Sequence, residues 1–513
     1  MTFWIKLLAL TMALLMLTTG MIACGGAEET EAIDATETEK GNEETQASAK
    51  ETESEDPRQA VQDDIPADLS FANAADNTVT FFTRDDDPLY KYEMDVDALT
   101  DDALWDAIYR RNAMVEERLG VVITTMQQNG TFENRDSWNQ TLRNAVNTKS
   151  GDFEGTAFYM SRGSALATEG MYLNLVDFPN LNLDKPWWNQ TIRDELTLFN
   201  CLFFLAGDLA ISQTASGIAI FYNKDLYEEL YSTSGLNVYQ LVRDGEWTID
   251  EMYDLVAGAW EDTNSTGVID DGDVIGFGTV ALAGTGDGGR DAWIAAMGIN
   301  ITTMVDGLPE LSIYSERTVA AHEKVQELHA DNPGTLAGDL QLTTFVNGNM
   351  LFSRELLNAG SGLRDVDFGY GVLPMPKFDV EQEAYGTFTW NNVSLISVLS
   401  SCPADKMEMV GATLELMGAG SYKTVTPTYY EVTLKSKYSN SVDDAEMYDL
   451  ILSSYKFSFG FCYSTVSLGE VGSLFRDMTW DLAQRYESNK TKYQSALETL
   501  IDKLDEVSFV FQQ

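Results

Sequence analysis

The order in which apolar runs follow one another constrains this chain most. From about residue 65 onward, short apolar strands alternate with amphipathic helices, and no repeat of fixed period is visible. The stretch NTVTFFT at 77–83 reads as a first strand. Residues 100–119 read as a helix opened by Thr-Asp-Asp, with Leu104, Ile108, Val115 and Leu119 on one face. A strand at 121–125 follows. GIAIFY at 217–222 is a buried strand leading into a helix at 224–231, and Thr-Ile-Asp-Glu caps a helix at 248–260. Further strands are expected at 349–353, 370–373 and 393–398, and closing helices at 474–486 and 493–506. Alternation of this kind implies α/β layers on mainly parallel sheets. Residues 65–513 are enough for two or more domains.

Ahead of this region the chain has a different character. Lys6 precedes an uncharged apolar run over 7–23, which ends in small residues before Cys24, Gly25 and Gly26. A basic start, a short apolar stretch and a small-residue cleavage point are the requirements of a secretory signal. As an uncleaved membrane helix the run is short, since a bilayer core takes about 20 residues. Met21-Ile22-Ala23-Cys24 resembles a bacterial lipobox, with Met where Leu is commoner. The resemblance implies a signal at 1–23, acylation of the Cys24 thiol, and membrane attachment through lipid alone. Residues 25–64 carry no aromatic residue and no leucine, and Ile33 and Val61 are their only large aliphatics. Such a segment buries too little apolar surface to offset ordering entropy, so 24–69 is expected to be a self-repelling tether.

The formal net charge of −48 argues against nucleic acid, whose phosphates would be repelled. It argues equally against lying flat on an anionic membrane. Only two histidines occur, His322 and His329, which makes a His-rich metal centre or His-based triad a poor fit. Both lie in the amphipathic pattern SERTVAAHEKVQELHADNPG, where a packing or surface role is expected. With Cys24 acylated, Cys201, Cys402 and Cys462 remain, without CxxC spacing. A Cys402–Cys462 bridge and three buried thiols both stay open.

The sharpest chemical motif is residues 262–273, DTNSTGVIDDGD. Side-chain oxygens fall at loop positions one, three, five, nine and twelve: Asp262, Asn264, Thr266, Asp270 and Asp273. Gly267 stands at the sharp turn, Val268 offers a carbonyl and Ile269 an apolar anchor. This is the spacing of an EF-hand loop, which wraps six to eight oxygens round Ca²⁺. Two departures are Thr266 in place of a carboxylate and Asp273 in place of a longer, bidentate Glu. A structural Ca²⁺ is expected; the plain alternative is a polar loop joining a helix to a strand.

In order along the chain come DAIYRRNAMVEERLGV at 106–121, LDKPWWN at 183–189, AIFYNKD at 219–225, EWTIDEMY at 246–253, the Asp/Asn loop, and GVLPMPK at 371–377. After a lipobox, this series resembles the extracellular solute-binding proteins of ABC importers, in the carbohydrate-binding, maltose-binding-like group. Members of that group often carry a comparable loop after the TWxE-like helix. The resemblance implies a monomeric, non-enzymatic receptor that closes two α/β lobes on a sugar and presents it to an ABC permease. By position, lobe I would comprise 70–212 and 353–403, and lobe II 213–352 and 404–513. Hinge crossings would lie near 213–217, 351–355 and 400–405.

A sugar site takes flat apolar faces and polar groups for hydroxyls. Arg84 and Asp85 follow the first strand, where the resemblance places hydroxyl-binding charges. Trp187 and Trp188 form a paired aromatic step, Arg354 lies at the expected second crossing, and Trp390 and Asn391 lead into a strand. Trp293, Tyr429 and Tyr430 are candidates from the other lobe. Each aromatic also has a core reading, and Trp247 and Trp260 look like packing. GTGDGGR lacks the Lys-Ser/Thr ending of a phosphate loop and reads as a mobile loop. A peptide or other polar solute is the alternative ligand. A glycoside hydrolase would need two carboxylates about 5 to 9 Å apart, with no signature to mark them.

Overall fold

The computed structural model describes residues 56–511 apart from 281, 284–287, 339–340, 364–365, 432–440 and 465–467. The expected signal, Cys24 and the acidic run as far as residue 55 lie outside the described residues, as does most of GTGDGG.

In chain order the strands are β1 (Thr78–Arg84), β2 (Val122–Gln128), β3 (Gly155–Tyr159), β4 (Ile218–Asn223), β5 (Ile275–Thr279), β6 (Thr302–Val305), β7 (Leu308–Leu311), β8 (Thr335–Ala337), β9 (Met350–Leu356), β10 (Tyr370–Leu373), β11 (Thr387–Phe388), β12 (Ser394–Val398) and β13 (Tyr455–Lys456). They build two main sheets, ordered β12-β3-β1-β2 and β10-β4-β9-β5-β8. β1 runs parallel to β2 and β3, whereas β12 returns antiparallel along β3. In the second sheet β4 lies antiparallel between β10 and β9, and β5 and β8 run parallel to β9. Each sheet carries its own helices, which is the two-lobe α/β arrangement expected.

Local chemistry explains the elements. The helix Ala103–Leu119 starts where the Asp102 side chain accepts the Leu104 and Trp105 amides, and stops at Gly120, whose φ of 67° is left-handed. Its buried face, including Leu104, Ile108 and Val115, holds it against the body between β1 and β2. The helix Ile249–Ala259 is capped by Thr248, which accepts the Glu251 amide. A second first-lobe helix, Met407–Gly420, is buried along almost its whole length.

Several expectations change. Residues 56–65, assigned to the tether, are fastened to the body: Arg118 forks onto Asp63 with two 2.9 Å hydrogen bonds, Lys185 reaches Asp64 at 2.7 Å, and Ile65 is buried. The acidic composition concealed two carboxylates with cationic partners. Cys201, Cys402 and Cys462 are separate buried thiols, so no 402–462 bridge forms. Both histidines pack inside, and burial draws His322 down to about 4. Most of the two expected closing helices is one, Leu482–Phe511. Its N-terminal half lies on the second lobe, Tyr486 stacking 4.3 Å from Tyr314. Its last turns lie on the first, with Phe511 beside Phe203 and the Cys201 thiol directed at the Ser508 carbonyl.

The crossings are also rearranged. β4 begins directly after 213–217, and β9 and β10 lie with it in the second sheet, so residues 353–356 and 370–373 pair there and not with the first sheet, where 353–403 was expected. The chain returns through 387–393 instead, where Gly217 bridges Thr389 and the Trp390 amide donates to the Ser216 carbonyl at 3.0 Å. The helix Met407–Gly420 packs on the first lobe, so 400–405 does not cross either. A further pass, β13, pairs parallel with β11. At this junction Tyr455 donates to the Thr214 carbonyl at 2.8 Å, and a Cβ on Gly217 would collide with the Tyr455 hydroxyl. Gly217→Ala should therefore cost about 1 to 3 kcal/mol in urea unfolding, and Tyr455→Phe in the same chain should recover part of it.

Candidate functional site

Strand direction locates the site. Ser394, which opens β12 directly after the return pass, pairs with Tyr159 at the end of β3. The C-terminal ends of β1, β2 and β3 thus face the crossings. In the second sheet β9 ends beside Gly217, where the Leu357 amide donates to the Gly217 carbonyl at 2.8 Å, so the ends of β5 and β8 face the same way. Open α/β sheets bind ligands outside the carboxyl ends of their strands.

Arg84 closes β1 and is 2% exposed. Its Nη2 donates to the Asn392 carbonyl at 2.6 Å, and its guanidinium lies 3.5 Å from the Tyr90 ring centroid. It ties the first lobe to the return pass. Burial pushes the Tyr90 hydroxyl up to about 12. Asp85 is exposed beside it. After β2, Phe132 is 48% exposed and has the guanidiniums of Arg135 and Arg162 at 4.2 and 4.4 Å from its centroid. After β3, the Tyr159 hydroxyl donates to Asn391 Oδ1 at 3.2 Å, and the Ser161 amide to the Asn391 carbonyl at 3.2 Å. Trp390 and Asn391, half-buried, thus sit on the return pass beside this wall.

Facing it, the helix Phe459–Cys462 packs against the turn after β3, Ser164 Oγ donating to the Cys462 carbonyl at 2.9 Å. Arg476 forms two bonds of 2.8 and 2.5 Å with Asp291, which is fully buried. Arg290 supports the pair by donating to the Val280 and Arg476 carbonyls.

The remaining sequence candidates are placed elsewhere. Trp187 and Trp188 are buried under the helix Met407–Gly420, with Trp188 Nε1 donating to Glu415 at 3.0 Å. Trp293 is fully buried edge-on to His329. Arg354 is 6% exposed within β9. Tyr429 is buried, and Tyr430 donates to Asp449 at 2.6 Å. Aromatic composition marks a core residue and a platform alike, so it selected these. Phe132, Arg135, Tyr159, Arg162 and Arg476 were missed, although the turn after a parallel strand was a signal for the first four.

The loop 262–273 folds as a compact turn. Asp262 accepts the amides of Thr266 at 3.1 Å and Gly267 at 2.8 Å, and Thr266 Oγ1 bonds the Val268 carbonyl at 2.9 Å and Asp270 at 3.3 Å. Asn264 reaches Asp270 at 2.7 Å. Asn264 makes that bond through Nδ2, while its Oδ1 accepts the Thr266 amide at 3.1 Å, and Ser265 and Gly267 take positive φ at the turn. Asp273 differs: it is 1% exposed and accepts the Trp260 indole at 3.3 Å and the Thr263 amide at 3.1 Å. Its short arm is engaged in closing the loop. Among the described residues no three His, Cys, Asp or Glu side chains gather as a metal cluster, so the loop's donors are largely amide, hydroxyl and carbonyl.

No protein-family profile and no curated protein matches the sequence. Solved structures match in shape. A cyclo/maltodextrin-binding protein complexed with maltotetraose aligns with a TM-score of 0.53 at 13% identity, over 84% of this chain and 97% of the other. UgpB from Mycobacterium tuberculosis, in complex with glycerophosphocholine, gives 0.53 at 12%, over 77% and 96%. The galacto-N-biose-/lacto-N-biose I-binding protein of the ABC transporter from Bifidobacterium longum, with lacto-N-biose, gives 0.51 at 12%, over 82% and 98%. The chain has the two-lobe fold of these solute-binding proteins.

Proposed function

We propose that this chain is an extracytoplasmic binding protein that captures a carbohydrate between its lobes and delivers it to an ABC permease. The observation that carries the reading is the pair of sheets whose strand ends open toward one set of crossings, as the first, return and β13 passes place them. Two of the structures it resembles hold sugars and one holds glycerophosphocholine, which favours a polyhydroxylated solute over a peptide. The binding role also accounts for a site built of guanidiniums, aromatic rings and amides. Acylation of Cys24 would keep the receptor near its permease, and that part rests on the lipobox-like sequence. Among the described residues no helix is long and apolar enough to cross a membrane.

Thermal shift of the purified chain against neutral and acidic oligosaccharides, polyol phosphates and peptides tests this, because a ligand of the native state raises the transition by mass action. Stabilisation by peptides alone would overturn the carbohydrate reading, and released reducing sugar would point to a hydrolase.

A structural Ca²⁺ in the loop 262–273 belongs to the same proposal. Asp262, Asn264, Thr266, the Val268 carbonyl and Asp270 would hold it, with water completing the shell; Asp273 would brace the loop through Trp260. Ca²⁺ at 1000 times its Kd should stabilise the chain by about 4 kcal/mol. The double variant Asp262→Ala, Asp270→Ala should show no response to Ca²⁺ in a melting experiment; an unresponsive parent chain would end the idea.

A further inference from the structure

The arginines at the strand ends are out of keeping with the rest of the molecule. The chain has 81 acidic and 33 basic residues, yet here three cations of the first lobe and two of the second come together. Arg84 is met by Asp86 at 4.0 Å, Arg135 by Asp136 at 3.9 Å, and Arg476 by buried Asp291. Arg290 is fully buried on backbone carbonyls. Arg162 is different: among the described residues no carboxylate lies within ion-pair reach of it, while its Nε, like that of Arg84, is buried with no hydrogen-bond partner. Phe132 holds it in place from one side.

Its surroundings are unfavourable to a lone cation. Burial, and the positive fields of Arg135 and of Arg476 across from it, draw the Arg162 guanidinium below its ordinary value, with Tyr159 and Asp136 only partly opposing them. A buried guanidinium edge beside two like charges is stabilised most by an anion, which supplies both hydrogen-bond acceptors and countercharge. The net charge of −48 does not prevent this. Charges farther than the Debye length, about 8 Å at physiological salt, are largely screened, while a contact ion pair is not.

We infer that the solute is an anionic sugar, whose carboxylate or phosphate is received by Arg162 between the turn after β3 and the Arg476 side. A planar guanidinium presents paired N–H donors to either group, which a neutral hydroxyl cannot match. The inference rests on the carbohydrate-binding reading and narrows it.

The test is calorimetric titration of the purified full chain with uronic-acid trisaccharides, the same trisaccharides methyl-esterified, hexose phosphates, and the parent neutral sugars. An anionic member should bind at least tenfold more tightly than its ester or neutral counterpart, and the responding arm identifies carboxylate or phosphate. Arg162→Gln should remove that preference while leaving the melting transition cooperative. Arg135→Gln, on the outer side of Phe132, should weaken it by a smaller factor, so the result does not depend on one variant folding. Equal binding of the charged and neutral partners, or an undiminished preference in Arg162→Gln, overturns the inference and leaves sugar capture standing. Binding of neutral sugars alone does the same. Binding of no carbohydrate removes both.

Discussion

Replacing Arg111 with Met should destabilise the first lobe by about 3 to 5 kcal/mol, the effect of breaking a buried, fully bonded charge. Arg111 is 2% exposed, in the middle of the helix Ala103–Leu119. Its Nε donates to Asn112 Oδ1 at 2.9 Å, Nη1 to Ser421 Oγ at 3.0 Å, and Nη2 to the Met94 carbonyl at 2.8 Å; both terminal nitrogens also reach the Glu93 carbonyl at 3.2 Å. Burial pulls the guanidinium down to about 10, against the pull of Asp95 and Glu93, so it stays charged at neutral pH. Met would fill much of the volume yet strand the Glu93 carbonyl, weaken the bonding of the Met94 carbonyl to Asn112 alone, and leave Asp95 without its cation. Lysine has no fork and should restore only part of the loss. Urea unfolding measures it, and a loss below 1 kcal/mol would show that water replaces the guanidinium.

The second large effect is a pH dependence centred on Glu415. Its side chain lies inside the helix Met407–Gly420, and burial pushes the carboxyl up to about 7, against hydrogen bonds from Trp188 Nε1 and the Asn182 amide. A carboxyl raised above its unfolded value of 4.5 favours folding while protonated. That contribution is fully present below pH 4.5 and is lost as pH rises through about 7, which amounts to roughly 3 kcal/mol. Glutamine keeps an acceptor for both donors and never ionises. Glu415→Gln should therefore match the parent at pH 4.5 and exceed it by about that amount at pH 8 in parallel melts. Asp208, pushed up to about 6 by burial beside Thr426, adds a smaller slope of the same sign. Equal pH profiles for parent and Glu415→Gln would assign the slope to other groups.

How far the sequence could be read depends on which physical pattern a residue belongs to. The expected strand at 370–373 has the bounds of β10, and Asp102 caps the helix where Thr-Asp-Asp announced it. Periodicity and capping are local, so they appear in one dimension. The crossings are not local. Residues 351–355 and 387–390 are both extended and mix apolar with polar side chains, and only pairing with β4 or Gly217 tells a sheet strand from a hinge pass. The site was hidden for the same reason. Phe132 is a single aromatic residue in a polar turn, and Arg162 lies thirty positions further on. Their meeting follows from β2 and β3 flanking β1 in parallel. Trp187 and Trp188 stood out in composition, yet Gly418 lies so close beneath them that their rings fill the interior.

The 30-residue helix Leu482–Phe511 spans about 45 Å at its regular rise, enough to lie along two lobes at once. With Tyr486 stacked on one lobe and Phe511 seated on the other, it acts as a tie rod laid across the hinge. A rod of fixed length turns rotation at the crossings into sliding at one of its seats. The travel of the closing turns over Phe203 and Gly170 would then set how wide the molecule opens before it must let go.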